Sequence, residues 1–201
     1  MVVPGGSGAA AEDISGTAGV GFSDLDTVSW AKEAVLYLSE QGIVAGKSAT
    51  EFYPNDCITR EEFVKILVKA LNFSGKEGAL PFLDVAADAW YYDCICTAYS
   101  NKIVKGISGE SFGVGLSVTR QDMSVMLYEA LLKKGVEIKS GAVDTAFKDA
   151  AQIAEYAKEA VGGLQAAGIV NGLGDGRFNP TGFTTRAEAA KVIYGVLSLL
   201  Y

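Results

Sequence analysis

The 201-residue sequence contains no histidine. That removes the commonest general base at neutral pH and the commonest zinc ligand, and with them most hydrolase and metalloenzyme chemistries. Cysteine is scarce, with only Cys57, Cys94 and Cys96, and an odd number cannot complete a disulfide framework. Cys94 and Cys96 stand two apart on a predicted helix and point to different faces, so they read as ordinary small residues. No apolar run approaches the roughly 20 residues that a membrane-spanning helix needs. Basic residues are outnumbered, 17 Lys and Arg against 24 Asp and Glu, for a net charge of −7. A negative field opposes binding to nucleic acid or to an anionic membrane, because both depend on releasing counterions. Residues 1–21 lack the basic start and apolar centre of a signal peptide and read as a flexible Gly/Ala/Ser-rich tail.

What the chain does have is repetition. Ile58-Thr59-Arg60-Glu61-Glu62 returns as Val118-Thr119-Arg120-Gln121-Asp122 and again as Thr184-Thr185-Arg186-Ala187-Glu188. Each copy sets a Thr before a helix-forming run, with an acid three positions later. That is a capping box, in which the Thr hydroxyl and the acid satisfy each other's backbone amides. The box explains the Thr and the acid but not the Arg, since the helix macrodipole disfavours a cation at the first helical position. An Arg held there three times is expected to serve something outside its helix, so that its removal would spare stability.

The periodicity extends well beyond the box. Phe22-x-Asp24, Phe82-x-Asp84 and Phe147-x-Asp149 open three repeats, spanning 22–73, 82–134 and 147–201. An aromatic then starts a first helix at Trp30, Trp90 and Tyr156. Next come Ile43-Val44-x-Gly46, Ile103-Val104-x-Gly106 and Ile169-Val170-x-Gly172, followed by Phe52, Phe112 and Phe178 and then the box. In the first helix Trp30, Ala34, Val35 and Leu38 form an apolar stripe. The same reading puts Cys94 at a small buried site that is Ala34 and Ala160 in the other copies. Gly42 and Gly168 end this helix as left-handed caps, while Lys102 in the second copy predicts a less regular exit.

The second helix shows the cleaner stripe: Phe63, Ile66, Leu67, Ala70 and Leu71, then Met123, Met126, Leu127, Ala130 and Leu131, then Ala189, Val192, Ile193, Val196 and Leu197. Repeats of about 50 residues cannot bury such stripes alone. They predict an all-α fold of three helix-loop-helix repeats, pseudo-threefold, around a central helical bundle. The Gly- and Pro-bearing stretches between the two helices read as irregular loops with short extended pairing.

The ordered set of Phe-x-Asp, Trp, Ile-Val-x-Gly, Phe-x-Pro and Thr-Arg-x-Glu resembles the S-layer homology family, as three tandem copies covering 22–201. The resemblance implies a three-lobed spindle that binds secondary cell-wall polysaccharide, through a pyruvate-ketal-bearing amino sugar, in grooves between repeats. It implies a bacterial cell-wall location, no catalytic residues, no metal and no cofactor. The partner would be the polysaccharide, alongside other surface-layer subunits, with the chain itself a monomer.

The expected site comprises Arg60, Arg120 and Arg186, with Asp24, Asp84, Asp149, Trp30, Trp90, Gly46, Gly106 and Gly172. A ketal carboxylate suits the planar fork of Arg, the tryptophans can stack on a sugar face, and the aspartates can accept from hydroxyls. Each has a plainer alternative: the tryptophans as core anchors, the aspartates as turn caps, the glycines as turn geometry. Repeat two departs from the pattern with Val114 in place of Pro54 and Pro180, and repeat three with Tyr156 in place of Trp. A self-assembly module is the competing function. A glycan-cleaving enzyme using Asp24 and Glu62 would need carboxylates that capping and turns already explain, and Gly174-Asp175-Gly176 lacks the alternating acids of a calcium loop.

Overall fold

The structure, a computed structural model, describes residues 21–75, 78–138 and 146–200. The expected N-terminal tail through residue 20, parts of both linkers (76–77 and 139–145) and Tyr201 lie outside the described residues. Six α-helices are present among them: α1 (Ser29–Glu40), α2 (Arg60–Ala70), α3 (Tyr92–Ser100), α4 (Arg120–Lys133), α5 (Lys158–Ala166) and α6 (Arg186–Leu200). The all-α expectation holds, since strand pairing among the described residues is limited to isolated bridges.

The second helix of each repeat starts where its box says. Thr59 is extended at φ −81°, ψ 164°, and its hydroxyl accepts from the Glu62 amide while Glu62 accepts from the Thr59 amide. Thr185 and Glu188 make the same reciprocal pair on α6. On α4 the Thr119 hydroxyl accepts from the Asp122 amide, but Asp is one methylene shorter and its carboxylate is taken by the Tyr156 hydroxyl instead.

The helices do not pair within their own repeats. α3 packs on α2, α5 on α4, and α1 on α6, so each first helix lies on the second helix of the preceding repeat and the first repeat closes on the third. Between α4 and α5, Gly163 allows the close approach: a Cβ there would sit 2.9 Å from the Tyr128 ring. α2 also packs on both α4 and α6, and the stripes of all three merge into one hydrophobic cluster that includes Leu67, Leu127 and Ile193. Val192, expected in the core, is only partly buried at its edge.

The box entries close the ring through backbone bonds. The Val118 amide donates to the Ile58 carbonyl, the Thr184 amide to the Val118 carbonyl, and the Ile58 amide to the Thr184 carbonyl, each at 3.0 Å. The short pairings expected inside the loops therefore form between repeats, as the bridges Cys57–Thr185, Thr59–Ser117 and Thr119–Phe183.

Three readings of the first helix need correction. Trp30 and Trp90 are exposed, not part of the buried stripe; Leu25, Val28, Val85 and Ile153 from the preceding turns fill the core at that end. Trp90 also lies in the turn just before α3, whereas Tyr156 sits in a 3₁₀ turn (Glu155–Ala157) that runs directly into α5. Cys94 is half-buried and Cys96 is the buried thiol; no disulfide joins the three cysteines. The exit at Lys102 is as regular as the others. Lys102 adopts φ +59°, beside +65° for Gly42 and +71° for Gly168, and all three repeats make the same pair of terminal amide-to-carbonyl bonds.

Candidate functional site

At the first position of α2 the Arg60 side chain leaves its own repeat and enters the loop of the next. Its Nε donates to the Phe112 carbonyl at 3.0 Å and its Nη2 to the Lys105 carbonyl at 3.3 Å. Arg120 does the same to Phe178 (2.8 Å) and Asn171 (3.1 Å) in repeat three. Arg186 reaches back to Phe52 (3.0 Å) and Ala45 (2.7 Å) in repeat one. Each guanidinium also lies over the ring of the Phe whose carbonyl it holds, 5.1, 5.2 and 4.5 Å from the centroid. A cation in that position is attracted by the ring quadrupole.

The third partner is the box acid of the receiving repeat. Arg60 Nη1 stands 3.7 Å from Asp122, Arg120 Nη1 2.9 Å from Glu188, and Arg186 Nη1 3.6 Å from Glu62. The arginines are 5–7% exposed. Burial pushes each guanidinium's pKa down, and the neighbouring carboxylates oppose that shift. Each guanidinium thus commits two N–H donors to carbonyls, and Arg120 a third to Glu188, while Arg60 and Arg186 face their acids at ion-pair distance. The expectation that these side chains stand apart from the fold is overturned: they are clamps between repeats.

The aspartates organise the loops that receive the clamps. Asp24 accepts from the Phe52 and Tyr53 amides, and Asp149 from those of Phe178 and Asn179. Asp84 accepts from Phe112, Gly113 and Val114 and from the Ser111 hydroxyl. Burial raises the Asp84 pKa, but these four donors outweigh it and hold the carboxyl down at about 2. The residue after each Phe is left-handed: Tyr53 at φ +60°, Gly113 at +89° and Asn179 at +60°. The aspartate oxygens thus fix the turn whose carbonyl binds the arginine, which is the turn-capping alternative.

The glycines have a similar internal explanation. A Cβ on Gly46 or Gly106 would collide with two loop carbonyls and with the edge of Phe22 or Phe82, and one on Gly172 with the Arg177 carbonyl. What approaches these backbones closely is the protein's own chain.

Trp30 is 52% exposed, Trp90 43% and Tyr156 61%. Core anchoring does not account for them. At one clamp the aromatic joins all three repeats. Tyr156 of repeat three donates to Asp122 of repeat two at 2.7 Å, and Asp122 faces Arg60 of repeat one. By helix packing, Trp90 on repeat two stands over α2, whose Glu62 faces Arg186 of repeat three; Trp30 precedes α1's contact with α6, whose Glu188 faces Arg120. A residue missed from the sequence is Lys65, whose ammonium lies 4.8 Å from the centroid of the Trp90 ring. The i, i+3 spacing from Glu62 carried that signal. The structure therefore pairs each buried arginine with the acid of the next box, and leaves the aromatic of each repeat exposed.

The profile of the S-layer homology domain matches the chain three times, at residues 21–64, 81–124 and 146–190. The chain is 35% identical over 178 residues to an amylopullulanase of Thermoanaerobacterium thermosulfurigenes, covering 88% of this chain and 9% of that protein. It is 35% identical over 180 residues to the exoglucanase XynX of Acetivibrio thermocellus, covering 89% and 16%. A surface-layer 125 kDa protein of Lysinibacillus sphaericus is 32% identical over 175 residues, covering 85% and 14%. The chain spans less than a fifth of each of these proteins.

Proposed function

Because the chain belongs to the S-layer homology domain family, we propose that it is a non-catalytic anchoring module. It holds a bacterial surface protein to the cell wall by binding secondary cell-wall polysaccharide at the boundaries between repeats. Two glycosidases and a surface-layer protein share this stretch while differing in the rest of their names and lengths. What such proteins have in common is a need for attachment, not a reaction.

The observation that carries the reading is that Trp30, Trp90 and Tyr156, at equivalent positions, stay exposed beside boundaries where the box Arg and acid of successive repeats pair. An indole face stacks on the apolar face of a pyranose ring, and the carboxylates below can accept from its hydroxyls. The arginines bring positive charge to the boundary between repeats, and their Nη hydrogens not bonded to carbonyls suit the carboxylate of a pyruvylated amino sugar. The aspartates and glycines act here by shaping the loops. No helix among the described residues is long and apolar enough to cross a membrane.

Co-sedimentation with purified cell-wall sacculi tests this. The protein should pellet with intact sacculi and remain in solution once the secondary polymer has been removed. Equal pelleting in both cases would sink the proposal. Self-assembly into a lattice is the second reading, favoured by the exposed Leu83 and Ile107. Analytical ultracentrifugation without polymer separates the two, because anchoring predicts a monomer.

A further inference from the structure

The loop that joins the two helices differs in character between the repeats. Repeat one places three charges on it, Lys47, Glu51 and Asp56, and repeat three places two, Asp175 and Arg177. Residues 106–117 of repeat two carry Glu110 alone. At the position of Lys47 stands Ile107, and at that of Asp56 stands Leu116. The residue after the opening Phe changes in the same sense, to Leu83 in repeat two against Ser23 and Lys148.

In repeat one two of these positions meet as an ion pair, with Lys47 Nζ 3.2 Å from Asp56. In repeat two Gly113 lies against both of their counterparts. A Cβ on it would stand 3.2 Å from the Ile107 side chain, and its carbonyl accepts from the Leu116 amide at 3.2 Å. Leu83 joins the same loop through its amide, which donates to the Glu110 carbonyl at 2.8 Å. Leu83 is 82% exposed, Ile107 55% and Leu116 51%. Repeat three keeps one apolar residue of the three, Leu173, with Lys148 and Gly182 at the other two positions.

The loop itself does not require these side chains, since an ion pair serves its counterpart in repeat one. Exposed apolar residues grouped on one surface mark a place of contact. A chain of net charge −7 repels its own copies, and they approach each other most easily where charge is thinnest. An apolar patch is also complementary to itself across a twofold axis. Three side chains fall short of the ~800 Å² per partner that a stable complex takes. The dilute chain is therefore a monomer, and contact requires that copies be concentrated, as attachment to one polymer would do.

We propose that the repeat-two loop is the surface through which two copies of this chain pair once the cell wall has gathered them. Leu83, Ile107 and Leu116 of one copy lie against the same residues of the second. The pairing goes beyond the anchoring function proposed above and rests on it for the high local concentration. A twofold pair closes on itself, so this contact links anchors in twos and does not build a lattice.

The test introduces the residues of the other repeats, Leu83→Lys, Ile107→Lys and Leu116→Asp, in one chain, which should melt as the wild type does. Sedimentation equilibrium without polymer is run with reductant, because Cys57 is exposed. The wild type should pass from monomer to dimer as its concentration rises to roughly millimolar, with the triple variant a monomer throughout. Leu83→Ser alone, the repeat-one residue at the most exposed position, should weaken the dimer several-fold. On sacculi the wild type should bind along a sigmoidal isotherm, and the triple variant along a hyperbolic one that reaches the same plateau. A wild type that stays monomeric at the highest concentration, or variants that associate as it does, would overturn the inference and leave anchoring intact. So would loss of the triple variant's binding to sacculi, since the patch would then face the wall polymer. A wild type that pairs in solution but does not pellet with sacculi would support the pairing and remove the anchoring reading.

Discussion

Replacing Arg120 by Ala is expected to weaken the fold more than any surface change. The side chain makes the shortest ion pair of the three clamps, 2.9 Å to Glu188, with bonds to the Phe178 and Asn171 carbonyls at 2.8 and 3.1 Å. Truncation would leave the buried Phe178 carbonyl without its donor and the Glu188 carboxylate with only the Thr185 amide. Removing one partner of a buried pair costs about 3–5 kcal/mol, because the other charge remains behind. For a chain of this size, about 2–4 °C per kcal/mol gives a fall of roughly 6–20 °C in melting temperature. Arg120→Lys should recover less than half, since one ammonium cannot span a carboxylate and two carbonyls held in a fork. Arg60→Ala should cost less than Arg120→Ala, because its acid stands farther off, at 3.7 Å. Urea unfolding with a shared slope would give the differences directly. If Arg120→Ala unfolds within about 1 kcal/mol of wild type, the clamp assigned here does not hold the repeats together.

Thr184 occupies a fully buried position that is Ile58 and Val118 in the other repeats, and its hydroxyl has no hydrogen-bond partner. Thr184→Val should therefore stabilise by about 1 kcal/mol, and a loss of stability on thermal unfolding would refute the unpaired hydroxyl. Asp84, held at about 2 against an ordinary 3.8, contributes stability that is complete above about pH 4 and is lost as pH falls towards 2. The contribution is at most about 2 kcal/mol for so partly buried a group. Acid-unfolding curves of wild type and Asp84→Asn should converge over that window; parallel curves would contradict it. Lys102 carries a left-handed backbone that the other repeats assign to glycine. Lys102→Gly should add about 0.5–1 kcal/mol, and a destabilised variant would show that the lysine side chain contributes something the cap geometry does not.

The second helices were legible because their determinants are local. A Thr, an acid three residues on and an apolar stripe at helical spacing act within two turns, and α2, α4 and α6 begin where those signals stand. The repeat pattern likewise disclosed the family, since its motifs recur in order three times. The first helices were half legible. Their stripe is right at Val35, Ile95 and Val161. Whether Trp30 or Leu25 takes the core depends on which neighbour covers that end, and the neighbour is the helix of another repeat. The period also could not distinguish Cys94 from Cys96, because a short helix packed on one face has a stripe whose edge is set by its partner.

The arginines mark the limit most clearly. Their position was recognised as needing an explanation outside their own helix, but the destination was not in the motif. Arg60 and Arg120 bind carbonyls 52 and 58 residues away, and Arg186 one 134 residues away. A backbone carbonyl has no residue identity, so nothing in the sequence names it as an acceptor. The sequence by itself determined that three arginines stand at three equivalent helix starts. Only the closing of the third repeat on the first decided that each would be buried in the loop of the next, since a guanidinium far from water binds whatever acceptors the packing brings to it.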